Sequence, residues 1–116
     1  MHVIVDGHGG DPDQLSDENV VRVILDQVPG MMGMSKITQP KVLRYTGSKP
    51  EDWGVSGFVM IAESHISIHT WPNAGYAALD VFMCGKASPD ACIPVLREAF
   101  KAQRVEVSEI LRGQGA

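Results

Sequence analysis

Glu63, Ser64 and His65 stand in a row, and His69 follows five residues after the serine, so an acid, a hydroxyl and two imidazoles fall within seven positions. Residues of these types suit nucleophilic and proton-transfer chemistry. A serine hydroxyl attacks once a neighbouring base takes its proton, and imidazole changes charge near neutral pH. The stretch before them, Gly57-Phe58-Val59-Met60-Ile61-Ala62, is apolar and reads as a strand that delivers the polar group at its end. Alternation resumes after Ser64, with Ile66 and Ile68 predicted on one face and Ser67 and His69 on the other. By spacing alone, the segment is equally compatible with a half-buried strand pair joined by a polar turn.

Other chemistries find less support. A pyridoxal phosphate enzyme needs a Schiff-base lysine and a phosphate cradle. Lys36, Lys41, Lys49, Lys86 and Lys101 all stand in polar or turn contexts, and Gly7-His8-Gly9-Gly10 fits neither a dinucleotide fingerprint nor a P-loop. Cys84 and Cys92 lie eight apart across a glycine and a proline, which is neither a redox pair nor a zinc knuckle. No metal site is expected.

Glu63-Ser64-His65, His69-Thr70-Trp71-Pro72 and the run from Tyr76 through Met83-Cys84-Gly85 together resemble the S-adenosylmethionine decarboxylase proenzymes in their short prokaryotic form. The similarity covers residues 54–85 without a gap and reaches more weakly to both ends. It implies a single domain that cuts itself between Glu63 and Ser64 into residues 1–63 and 64–116. Ser64 would become a pyruvoyl group, which accepts the electrons released when CO2 leaves and requires no bound cofactor. By the same resemblance Ser56 assists processing, His69 is the processing base and Cys84 returns a proton to the α-carbon. Trp71 and Asn73 are the expected substrate contacts. A homodimer, or a larger assembly with active sites at the protomer interface, is also implied. The activity would serve polyamine biosynthesis by supplying decarboxylated adenosylmethionine for spermidine.

Two positions depart from the family pattern. Asn73 stands where a glutamate usually holds the ribose hydroxyls, and Pro50 where an aromatic usually stacks on adenine. Trp71 or Trp53 offers a replacement stack, while residues 31–37 have no close counterpart. These departures leave open a decarboxylase of arginine or ornithine with the same fold and prosthetic group. A third alternative is an inactive partner subunit, although a dead copy has no chemical need to keep Glu63, Ser64, His69 and Cys84 together.

The elements that must position these residues follow from periodicity. Residues 2–6 form a strand ending in a glycine-rich turn over 7–12. Ser16 is the expected N-cap of a helix whose apolar face is Val20, Val21, Ile24, Leu25 and Val28, stopped by Pro29-Gly30. Residues 36–45 suggest a strand broken early by Pro40, and 46–53 a polar loop. Strands follow over 57–63, 64–71 and 76–83. Ala77, Leu79, Val81 and Met83 are expected to face inward on the last of them.

Ser88-Pro89 opens a second helix with Ala91, Cys92, Val95, Leu96, Ala99 and Phe100 on one face, disturbed by Pro94. Residues 104–110 make a final strand, and 112–116 should fray. The expected architecture is an α+β two-layer sandwich, a mainly antiparallel sheet covered on one face by two helices.

With 116 residues, 44% of them hydrophobic and 21% charged, the chain is sized for one globular domain. A net charge of -4 opposes nucleic-acid binding and suits a cationic substrate. No apolar run reaches a membrane span and the N-terminus lacks a basic start, so a cytoplasmic protein is expected.

Overall fold

Alternating apolar and polar residues produce one antiparallel sheet of seven strands with its helices on one face. The computed structural model describes residues 1–49, 51–83 and 89–113, the side chains of Pro89 and Cys92 excepted. Strand β1 (His2–His8) leads into helices α1 (Pro12–Leu15) and α2 (Glu18–Met31). Strands β2 (Ser35–Lys36), β3 (Lys41–Thr46), β4 (Trp53–Ala62), β5 (Ser64–Trp71) and β6 (Tyr76–Met83) follow. Helix α3 (Cys92–Phe100) and strand β7 (Arg104–Ile110) complete the chain. The spatial order is β2-β4-β5-β6-β1-β7, with β3 beside β4.

The two faces of the sheet differ. Val3, Val5, Val55, Val59, Ile61, Ile66, Ile68, Leu79 and Val81 point toward the helices and are fully buried. Val21, Ile24, Leu25 and Val28 of α2 meet them, together with Leu96 and Phe100 of α3. Gly57 permits this approach, since a Cβ there would fall 2.6 Å from Leu25 and 2.8 Å from Val21. Among the described residues, no helix covers the opposite face. On β3, β4 and β5 it exposes Leu43, Tyr45, Phe58, Met60 and Trp71, an apolar surface unusual for an isolated domain.

Several boundaries differ from the sequence expectation. The cap of α2 is Asp17, whose carboxylate accepts from the Asn19 amide, because Ser16 closes α1 by donating to the Pro12 carbonyl. Helix α2 runs past Pro29 to Met31, and a third helix, α1, occupies part of the predicted turn. The strand expected over 36–45 divides into β2 and β3, both paired with β4. Strand β4 begins at Trp53 rather than 57, since pairing with β3 extends it back through residues 54–56 to the end of the expected loop. Helix α3 begins at Cys92, so Pro94 falls in its first turn, where the missing N–H leaves no intrahelical bond unmade.

Candidate active site

The pairing of β4 with β5 positions the polar group. Ile61 pairs with Ser64, so Ala62 and Glu63 make the connection between the strands, Ala62 also pairing with Ser35 of β2. Ser64 carries φ +139°, a region that β-carbon sterics disfavour and that stores on the order of 1–3 kcal/mol. Its Oγ lies 3.4 Å from Nδ1 of His65. Met83 of β6 is the Cα partner of Ser64. Cys84, the next residue, lies outside the described residues, as does Pro50.

The second group forms farther along β5. Ser56 and His69 are Cα partners, and Ser56 Oγ sits 2.9 Å from His69 Nδ1. Strand register thus joins two predicted processing residues thirteen positions apart. It separates both from Ser64. Five residues of extended chain span about 16 Å, so within one protomer His69 stands at the other end of β5 from Ser64.

A cavity of about 410 Å³ opens beside the Ser56–His69 pair and is lined by Tyr45, Asp52, Trp53, Thr70 and Trp71 among others. Its outer wall is the β3–β4 connection. Asn73 reaches that wall from the turn after β5, its Nδ2 donating to the Glu51 carbonyl at 3.2 Å. The Asn73 amide therefore anchors the rim of the cavity and does not line it. Thr70 supplies the floor. Its hydroxyl donates to the Leu15 carbonyl at 2.7 Å and accepts from the Val55 amide at 2.9 Å, tying α1 and β4 to β5. Sequence alternation places Thr70 on the buried face of β5, where a hydroxyl must find partners.

One feature escaped the sequence reading. Trp71 stacks on Tyr76 at 5.0 Å, and Tyr76 on His8 at 5.2 Å, so three rings from three strands form a row on the uncovered face. Tyr76 donates its hydroxyl to Asp6 at 2.5 Å. That bond, then burial, then the charges of Asp6, Asp80 and Glu106 push its ionisation up to about 12. Folding favours the neutral phenol, so its contribution is complete below pH 10 and is lost as pH rises through 12. In absorbance titration Tyr76→Phe should delete a phase near pH 12; deletion of a phase near pH 10 would contradict the Asp6 bond.

Comparison with known proteins bears on the whole chain. A family model described as S-adenosylmethionine decarboxylase matches residues 1–113. The S-adenosylmethionine decarboxylase proenzyme of Pyrococcus furiosus is 42% identical over 113 residues, 97% of this chain and 77% of that relative. This chain belongs to the S-adenosylmethionine decarboxylase family. The proenzyme of Thermomicrobium roseum is 61% identical over 61 residues, 52% of this chain and 53% of its own length. Fold and family agree, since the crystal structure of the adenosylmethionine decarboxylase from Aquifex aeolicus superposes with a TM-score of 0.72 at 25% identity. That superposition covers 97% of this chain and 92% of the other. As a family member this decarboxylase shares the expected α+β sandwich. Among the described residues, no three His, Cys, Asp or Glu side chains gather as metal ligands, and no helix is long and apolar enough to cross a membrane.

Proposed function

We propose that the chain is a self-processing adenosylmethionine decarboxylase whose working unit is a homodimer. The observation that carries the processing step is Ser64, strained at φ +139° directly after a two-residue turn in a chain of this family. The Ser64 hydroxyl attacks the Glu63 carbonyl and turns the peptide bond into an ester. Removal of the Ser64 α-proton expels Glu63 as a carboxylate and leaves a dehydroalanine, which takes up water and loses ammonia. The resulting α-keto group supplies an electron sink beside the carboxylate that departs as CO2. The route needs a β-heteroatom that serves first as nucleophile and then as leaving group, and the Ser64 hydroxyl fits it.

His69 is the base for the α-proton and Ser56 orients its imidazole through the 2.9 Å contact. Neither reaches Ser64 of its own chain. A second copy supplies them. The exposed Leu43, Phe58, Met60 and Trp71 make the uncovered sheet face the natural interface, and a two-fold pairing that reverses strand direction brings one Ser64 over the other copy's His69. Cys84, one residue past the partner of Ser64, returns the proton after CO2 leaves.

The cavity beside His69 takes the nucleoside against Trp71, with Asn73 at the rim and Asp52 offering charge to the cationic substrate. CO2 release from processed protein, measured in parallel with adenosylmethionine, arginine and ornithine, tests the assignment. Turnover of adenosylmethionine is expected. Turnover of arginine or ornithine instead would overturn the substrate, and a single uncut chain after long incubation would overturn the enzyme.

A further inference from the structure

His65 has no part in the scheme above, yet it lies closer to Ser64 than His69 of the same chain. Its Nδ1 stands 3.4 Å from Ser64 Oγ, just beyond the 2.6–3.2 Å reach of proton transfer, and contacts of this kind tighten as the nucleophile turns to attack. The imidazole is held in place by its neighbours on the uncovered face. Phe58 lies 6.0 Å away at 33° and Phe82 5.9 Å away at 27°, so the ring sits between two aromatic planes from β4 and β6. His69 cannot replace it within the chain, being about 16 Å along β5 and already in contact with Ser56.

We propose that His65 is the acid–base group of the first processing step, acting within its own chain, while the partner copy's imidazole serves only the second. The inference rests on cleavage between Glu63 and Ser64 as proposed above. As Ser64 Oγ bonds to the Glu63 carbonyl carbon, His65 Nδ1 takes the hydroxyl proton. When the tetrahedral adduct collapses and the carbon–nitrogen bond breaks, the same proton passes to the Ser64 nitrogen. Amide becomes ester with no atom gained or lost. The α-proton is untouched at this stage, which is why a different base, on the other side of the site, is required afterwards.

Hydroxylamine separates the two steps, because it cuts an ester and spares a peptide bond. His69→Ala should stop after the shift and yield hydroxylamine-sensitive chains. Adding His65→Phe, which keeps a ring between Phe58 and Phe82, should slow that cleavage by at least about 100-fold. His65→Gln should behave alike, and it decides the matter if the near-ultraviolet dichroism of the phenylalanine variant departs from wild type. In His65→Ala, added imidazole should restore ester formation, a rescue that a purely structural side chain would not permit. Ester formation at the parental rate in folded His65→Phe or His65→Gln would overturn the role of His65 and leave self-cleavage standing. Wild-type protein that is never cut, with or without hydroxylamine, would instead overturn the cleavage reading itself.

Discussion

Ser64→Ala is expected to remain one chain of 116 residues and to release no measurable CO2 from any substrate. The wild type should resolve on a denaturing gel into residues 1–63 and 64–116, the second with a blocked N-terminus. The effect is total because a methyl group offers neither a nucleophile to attack Glu63 nor a β-oxygen to expel. Strain sharpens the test. Alanine keeps the β-carbon that makes φ +139° unfavourable, whereas glycine adopts that region freely. Uncleaved Ser64→Gly should therefore resist urea better than uncleaved Ser64→Ala, by about 1 kcal/mol once the greater chain entropy of glycine is set against the relieved strain. Cleavage of the alanine variant at the same bond would remove Ser64 from the chemistry.

Ser64→Ala and His69→Ala, each inert alone, should restore cleavage and turnover when refolded together. In a mixed dimer one site combines an intact Ser64 with an intact His69 from the other copy, while its twin lacks both. With equal, freely assorting chains, roughly a quarter of the sites are repaired. The cut chain identifies the geometry, since the newly processed fragments must come from the His69→Ala polypeptide. This outcome follows from the distance of about 16 Å along β5, which side chains at the two positions cannot bridge within one protomer. An uncut mixture, under conditions where the same refolding yields active wild type, would rule out sharing between copies. The apolar residues Leu43, Phe58 and Met60 give an independent check, because charged substitutions there should leave the monomer folded but weaken association.

The hydrophobic alternation was enough to anticipate most of the sheet. Ile66 and Ile68 against Ser67 and His69, and Ala77 to Met83 on β6, take the faces their periodicity requires, because a strand has only two sides and the core accepts one of them. Helix α2 also follows its pattern, although its cap moved from Ser16 to Asp17. A side chain that can close either of two adjacent helices is assigned by the packing of both. The start of β4 was hidden for a similar reason. Trp53 suits a strand by residue type but stands between a polar loop and Gly54, and both become strand by pairing with Thr46 and Tyr45.

For the candidate site, residue types named the chemistry, and the motif from Glu63 to Pro72 pointed to the family that the whole-chain match bears out. Distances were not legible. Ser56 and His69 meet through strand register, a long-range property that no local window contains. The remoteness of His69 from Ser64 is a consequence of an extended backbone, and five residues of helix would have placed them about 7.5 Å apart along the axis. Asn73 illustrates the same division: its identity marks a departure at the ribose position, but only the folded chain spends its amide on Glu51. Sequence by itself determined which groups are available and which faces are apolar, since both are properties of single residues and short periods. Which groups meet, and how far His69 stands from Ser64, was decided by tertiary structure, because only strand pairing converts separation along the chain into distance.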